Sequence, residues 1–551
     1  MPHFLRWALL TAFAVALVAA CSGDGTATRE PGALGFTDVA ADVGIDFVHG
    51  AFHWDTSPDP AAMMGGGLCW IDYNGDGWLD LFVVNSYAEA EWGQWQDEGG
   101  LPTAKLYRND GGEFTDVSEE AGVNLELRGN GCVAGDLDSD GHTDIYVTTA
   151  RGDVLLWNEG NGAFSDGTAS AGTDVYGWHT GAAIGDVNGD GRPDLFVAGY
   201  VDPNTPNPEG GSAFPSSMAA VRDLLYLNTG SGADGHAAFE EVGEKVGLET
   251  AGYEYGLGAI LSDLDNDGDL DLFVANDTNP NRLYRNEPMT GDAAGIGMRF
   301  VDVTDAAGVG DYNSGMGVAA EDYNDDGAPD LIVTNLGDQL HSVYSNQSQL
   351  GFAADQAGLG IPDFGFGATG WGVSWADFDL DGDNDLMIAN GFVPLRSNDD
   401  RQQLALLDNS GAGMIDIAAV AGLRDIGPLH GRGLAVADYD NDGDVDVAVN
   451  SISDALVLLE NVVAGARWLT VEIEGFYPGA VVITTLASGH ESRCEIRAGT
   501  SWLSSEDPRC HFGLGDTGTV TQLRIRWPDH TEVTLDDPGV NRIVAIKKPA
   551  R

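Results

Sequence analysis

The stretch Asp438-Tyr439-Asp440-Asn441-Asp442-Gly443-Asp444-Val445-Asp446 decides how the rest of the chain is read. Positions 1, 3, 5 and 9 carry carboxylates, and position 6 is glycine. Six further copies of D-x-[DN]-x-D-G-x-x-D open at Asp72, Asp136, Asp186, Asp263, Asp322 and Asp377. Odd-numbered oxygens of one tight loop can converge on a single point, and the glycine permits the bend that brings them there. Two carboxylates ~4 Å apart repel by ~4 kcal/mol at an effective dielectric of about 20. A hard cation makes such a cluster tolerable. Ca²⁺, which takes about six to eight oxygens in flexible geometry, is the ion this pattern predicts.

The expected ligands are the side chains at positions 1, 3, 5 and 9 and the carbonyl at position 7, giving about seven Ca²⁺ sites. The first loop offers Asp72, Asn74, Asp76 and Asp80 with Trp78, and the second Asp136, Asp138, Asp140 and Asp144 with His142. Asp186, Asn188, Asp190 and Asp194 with Arg192 form the third, and Asp263, Asp265, Asp267 and Asp271 with Asp269 the fourth. The fifth is Asp322, Asn324, Asp326 and Asp330 with Ala328; the sixth is Asp377, Asp379, Asp381 and Asp385 with Asp383. In the last, Asp438, Asp440, Asp442 and Asp446 stand with Asp444. An EF-hand would need glutamate at position 12 and flanking helices. Position 12 is Val or Ile in every copy, inside apolar runs such as LFVV and LIVT that read as strands. The loop therefore joins two β-strands.

Other marks recur with it. Glycine stands five residues before each first Asp, at 67, 131, 181, 258, 317, 372 and 433. Apolar residues between form strand A, the run after the loop is strand B, and a segment ending in Asn109, Asn158, Asn228, Asn286, Asn346, Asn409 or Asn461 is strand C. Strand D begins at Phe36, Phe114, Phe164, Phe239, Phe300, Leu350 and Met414. Four short strands repeating every 50 to 77 residues read as a β-propeller blade. The fold class expected is all-β: a seven-bladed calcium-binding β-propeller over 34–463 with a small β-sandwich-like domain at 464–551. Phe36–Val39 precedes the first loop and the seventh unit lacks a D strand, so this segment is expected to complete the last blade and hide both sheet edges. Crowding of innermost strands explains the glycines at the fifth position before each loop. The loops should all lie on one face; the enlarged B–C connections, 85–104 with Trp92 and Trp95 and 200–223, lie on the other, where binding function often sits.

The chain has 551 residues with 26 basic and 87 acidic side chains, a net charge of −61. That excludes nucleic acid as a partner. The apolar run Trp7–Ala20 is too short to span a bilayer and fits a signal peptide at 1–20. Leu17-Val18-Ala19-Ala20-Cys21 resembles a bacterial lipobox, with Cys21 lipidated and 21–33 a flexible tether. Export to the outer membrane or cell surface is expected, with the periplasmic side as the alternative. Oxidising surroundings allow a Cys494–Cys510 disulfide, worth roughly 3 kcal/mol. Cys69 and Cys132 stand at offsets from their loops that differ by one, so they should point to opposite sheet faces and remain buried thiols.

These repeats resemble the FG-GAP/VCBS repeats of integrin α-subunit propellers and of secreted bacterial proteins. From Arg467 onward, RWLTVEIEG at 467–475, RAGTSWLSSEDPRCHFGLG at 497–515 and LRIRWPDH at 523–530 resemble an ASPIC/UnbV domain. The pairing is similar to that of the cartilage acidic protein family, although FYPGAVV at 476–482 departs from the family's usual stretch. The alternation of 467–548, beside the unfinished seventh unit, suggests a domain packed on the propeller edge.

The function expected is a lipid-anchored binding or adhesion module, monomeric, for a protein or glycan ligand on the face opposite the calcium loops, with calcium mainly structural. The alternative is a propeller enzyme acting on a polysaccharide or phosphoester. No His, Cys and Glu cluster at metal-catalyst spacing, no G-x-S-x-G with partners and no phosphate loop support it. Trp178-His179 is the oddest departure from the repeat. Arg151-Gly152-Asp153 matches an integrin-recognition tripeptide by composition alone.

Overall fold

The computed structural model describes residues 34–550, except 52, 54–58, 249–251, 290–294, 348, 357, 358, 362, 396, 398, 410, 412, 464 and 517. The leader at 1–20, Cys21 and the tether lie outside the described residues. Among those residues no helix is long and apolar enough to cross a membrane.

Each repeat folds as an antiparallel sheet in the order A-B-C-D, and seven such sheets follow one another along the chain. The first runs Leu68–Ile71, Asp80–Val83, Lys105–Asn109 and Phe114–Asp116. The seventh holds Gly431–Ala437, Asp446–Ser451 and Val457–Asn461, and its fourth strand is Phe36–Asp38, with Phe36 opposite Asn461. Strand A of each unit touches strand A of the next, and the seventh returns to the first. The arrangement is all-β and consistent with a β-propeller.

Apolar residues of both faces of each sheet are buried, because each sheet is covered by a neighbour on either side. One hydrophobic cluster fills each gap: Leu68, Trp70 and Leu81 pack on Ala435 and Leu458 between the seventh and first units, and Phe378 and Met387 on Leu434 and Val447 between the sixth and seventh. The glycines before the loops sit where strands A converge. A Cβ on Gly317 would lie 2.0 Å from the Trp371 carbonyl oxygen of the next unit, and one on Gly433 would lie 2.3 Å from the Gly66 oxygen across the closure.

Three expectations are corrected here. In the fifth unit strand D is Phe352–Ala354, with Phe352 opposite Asn346; Leu350 lies before it with φ of +60°, so the start moves by two residues. Cys69 and Cys132 are not free thiols but form a disulfide between strands A of the first and second units. Their offsets do place them on opposite faces of their own sheets. In a ring, the forward face of one sheet confronts the backward face of the next, so opposite faces are what brings them together.

The third correction concerns the C-terminal domain. Trp468–Glu474 lies between Cys510–Gly513 and Ile543–Lys547 in one sheet, and Val481–Leu486 pairs with Glu491–Glu495 and Val520–Arg526 in a second, which Glu532–Asp536 extends. Leu469, Val482, Phe512, Ile525 and Trp527 form their shared core, and Cys494 and Cys510 form a disulfide there. The domain does not pack on the propeller edge. It sits on the face carrying the Asp-rich loops, where Arg526 pairs with Asp263 at 2.9 Å and Arg509 donates to the Asp438 carbonyl at 2.8 Å.

From this cap, residues 497–507 enter the axis of the ring and reach strand A of every unit. Trp70 N–H donates to Ser505 O at 3.0 Å, Cys132 N–H to Leu503 O at 3.1 Å and Ile184 N–H to Ala498 O at 3.0 Å. Arg497 Nε donates to Ser262 Oγ at 3.3 Å, and Ser501 exchanges both backbone bonds with Val318. Ser501 Oγ accepts from Val373 N–H at 2.9 Å and donates to Leu434 O at 2.7 Å. Trp502, fully buried, meets the Trp371 ring edge-on with centroids 4.7 Å apart. The segment serves backbone groups that seven converging strands leave without lateral partners.

Candidate metal centre

The seven loops share one internal scaffold. Position 1 accepts backbone N–H groups from its own loop: Asp72 Oδ2 takes Gly77 N–H at 2.9 Å and Asp322 Oδ2 takes Gly327 N–H at 2.8 Å. Position 5 accepts the N–H of position 7, as Asp442 does from Asp444 at 2.9 Å. Position 9 opens strand B and is buried in all seven units. Its Oδ1 accepts the N–H of the asparagine that ends strand C, for example Asp80 from Asn109 and Asp446 from Asn461, both at 2.8 Å.

The backbone bends at two places in each loop, not one. Position 4 has a left-handed φ of +57° to +73° as well as the glycine at position 6. Gly75, Gly189, Asn266, Asp325 and Asn441 suit that region, whereas Ser139 and Leu380 adopt it at a cost. A sequence search for the position-6 glycine alone misses this second requirement.

In four loops three carboxylates approach closely enough to share an ion. One ligand oxygen each from Asp136, Asp138 and Asp144, from Asp263, Asp265 and Asp267, from Asp377, Asp379 and Asp385, and from Asp438, Asp440 and Asp446 lie within 4.8 Å of one another. The other three loops have asparagine at position 3. Asn74 Nδ2 donates to Asp76 Oδ2 at 2.9 Å and Asn188 Nδ2 to Asp190 Oδ2 at 3.2 Å, so these amides turn a donor toward a position-5 carboxylate. Arg192, at position 7 of the third loop, also pairs with Asp190. The Asp or Asn at position 3, already visible in the sequence, thus divides the seven loops four and three.

The donor set fits a hard cation. Buried oxygens Asp263 Oδ1, Asp271 Oδ2, Asp330 Oδ2 and Asp438 Oδ1 have no hydrogen-bond donor, which an apolar or fully satisfied core would not leave. Burial first, then the neighbouring Asp72 and Asp76 charges, push the Asp80 carboxyl up to about 8, against the N–H bonds from Asn109 and Tyr73. Burial likewise raises Asp330 to about 8 and Asp438 to about 7, and lifts Asp144, Asp194, Asp271, Asp385 and Asp446 well above the carboxylate range. A bound divalent ion supplies the charge that these groups otherwise recover as protons.

The asparagine closing each strand C has a second task, which the sequence repeat displays but does not explain. Its Nδ2 donates to the position-2 carbonyl of the preceding unit's loop. Asn158 reaches Tyr73, Asn228 reaches Leu137, Asn286 reaches Val187 and Asn346 reaches Leu264, at 2.7 to 2.8 Å. Asn409 reaches Tyr323 and Asn461 reaches Phe378, both at 2.9 Å. Every loop is thus tied to its neighbour around the ring.

Residues 72–147, 136–197 and 263–333 match the FG-GAP-like repeat, and residues 475–551 match the ASPIC and UnbV family. The chain carries FG-GAP-like repeats and an ASPIC/UnbV domain. It is homologous to cartilage acidic protein 1, at 29% identity over 331 residues to the Homo sapiens protein and 27% over 328 residues to that of Xenopus tropicalis. These alignments cover 57% of this chain and 47% and 48% of the relatives, so the chain spans about half the length of the curated relatives it matches. Among solved structures, an Agrocybe aegerita lectin is similar at 17% identity and a TM-score of 0.37, over 66% of this chain and 88% of that one.

On the opposite face both enlarged connections are ordered. The 85–104 segment holds helix Trp92–Asp97, and in 200–223 strand B runs on to Pro206 and pairs with Met218–Ala220. His179, singled out in the sequence, lies 2.6 Å from Asp153, and both side chains are buried. This contact withdraws the aspartate of the Arg151-Gly152-Asp153 tripeptide from solvent, while Arg151 pairs with Glu89.

Proposed function

We propose that this protein is an exported, lipid-anchored binding module built on a seven-bladed calcium-binding β-propeller, with Ca²⁺ acting mainly as a structural ion. Its ligand is a protein or glycan that docks on the face opposite the Asp-rich loops. The observation that carries this reading is the position of the C-terminal domain. It covers the loop face and sends 497–507 into the axis, so the ordered connections 85–104 and 200–223 stand on the face left to solvent. Rigid scaffolds that present long connections suit recognition.

An enzymatic reading draws no support from His179 and Asp153, since a pair sealed inside the sheets cannot reach a polysaccharide or phosphoester. The test is a screen of glycans and surface proteins against the calcium-loaded chain, repeated in chelator. Saturable binding lost on substitution within 85–104 or 200–223 supports the proposal. Binding that maps to the C-terminal domain, or turnover of a screened substrate, overturns it.

A further inference from the structure

At the axial mouth on the face opposite the Asp-rich loops lies a cavity of ≈ 290 Å³. Its floor is Leu257 and Trp371 of strands A with Met316, which lies just before strand A of the fifth unit, and the rim comes from B–C connections through Phe214, Leu336 and Asp277. Its walls are mainly aliphatic, thioether and aromatic, with the hydroxyls of Thr278 and Ser314 and one carboxylate among them.

Asp277 is the unusual member. It accepts a hydrogen bond from Tyr200 OH at 2.9 Å and another from the Ser314 side chain, and among the described residues no cation pairs with it. Burial raises its carboxyl above the usual range. The buried Arg432 at the axis is already engaged. It stacks over the Trp371 ring at 4.0 Å and donates to the carbonyls of Met63, Gly431 and Phe392. A half-buried carboxylate held by two hydroxyls at the rim of a largely apolar chamber has no counter-charge among the described residues. The rings of Tyr200 and Phe214, 5.6 Å apart, add π-faces that attract cations.

We infer that this cavity binds a small organic ammonium ion, its charge against Asp277 and its apolar body between Met316, Leu336 and Phe214. An anion would meet the carboxylate, and a neutral hydroxyl could hydrogen-bond to Asp277 but would leave its charge uncompensated. The inference goes beyond the macromolecular ligand proposed above and does not depend on it.

The test is calorimetric titration of the calcium-loaded full chain with 2-phenylethylamine, 2-phenylethanol and phenylacetate. The amine should bind at one site about tenfold or more tighter than the alcohol, the gain expected of a charged hydrogen bond, and phenylacetate should give no saturable heat. Asp277→Asn should bring the amine down to the level of the alcohol. Phe214→Ala, on the exposed rim, should weaken amine and alcohol together with an unchanged melting curve. Equal affinity for amine and alcohol, or no saturable amine heat from protein that melts normally, overturns the inference. So does an amine preference that survives in folded Asp277→Asn. If that variant does not fold, the amine-to-alcohol ratio in the unaltered chain and the Phe214→Ala result decide. A failed glycan and protein screen leaves these readings intact, and a failed titration leaves the screen intact.

Discussion

Asn109 Nδ2 donates to the carbonyl oxygen of Tyr439 over 2.8 Å, joining residues 330 apart in sequence. The same amide donates to the Leu79 carbonyl of its own loop at 3.0 Å. One side chain therefore closes the ring on the loop face, as Phe36–Asp38 does at its outer edge.

Asn109→Ala should destabilise the protein by about 1–3 kcal/mol, because two buried carbonyls lose their donors. Asn109→Asp should cost at least as much, since it replaces the donor with an acceptor beside Asp80. Denaturant unfolding at saturating Ca²⁺ measures both. A change below about 0.5 kcal/mol, the range of ordinary surface substitutions, would show that the closure does not need this bond.

Chelation should lower the melting temperature sharply, each site filled at a hundred times its dissociation constant contributing about 2.7 kcal/mol. The four loops with three converging carboxylates should hold Ca²⁺ more tightly than the three with asparagine at position 3. Calcium titration by calorimetry should resolve two classes. A melting curve indifferent to chelator would refute the structural role of the ion.

The metal-free protein should lose stability as pH rises. Asp80 and Asp330 titrate at about 8 when folded, against 3.8 for the ordinary group. Between those values these two groups bind more protons in the folded state than in the unfolded one, so their contribution to stability is greatest below about pH 4 and falls through the window to about 8. Saturating Ca²⁺ should flatten this slope, because the ion replaces the protons. Melting temperatures at several pH values, with and without chelator, check the sign.

Trp502→Ala should cost about 3–5 kcal/mol, the range for emptying a buried indole site. Trp92→Ala, at a residue 53% exposed, should change stability little. The comparison separates the axial segment from an aromatic loss at the surface.

Peptide mapping without reductant should recover Cys69 linked to Cys132 and Cys494 linked to Cys510. Replacing both Cys69 and Cys132 by alanine should lower stability by about 4 kcal/mol on loop-entropy grounds. Free thiols at 69 and 132 in the folded protein would contradict the pairing.

Much of this was open to reading because seven copies of one unit filter out accident. The loop aspartates, the glycines where strands A converge and the asparagines ending strand C stand out by recurrence. Phe36 could be assigned to the last sheet because one unit lacked a strand. What repetition cannot carry was misread. Cys69 and Cys132 occur once each, and their pairing depends on the confrontation of two different sheets. Residues 497–507 have no counterpart elsewhere in the chain, and periodicity within a segment does not say what it touches hundreds of residues away. Position 4 of the loops varies between Gly, Asn, Asp, Ser and Leu, so its shared left-handed backbone leaves little trace in composition.

Because residues 497–507 supply hydrogen bonds to strand A of every unit, the order of synthesis matters. A ribosome emits these residues after all seven sheets, so every sheet must wait, incompletely bonded at its inner end, until residues 497–507 have emerged. A premature stop before Arg497 would strip all seven units of these axial partners at once. Contacts of such sequence separation form late and slowly. A stop anywhere upstream of Arg497 should therefore yield wholly degraded protein and no stable shortened ring.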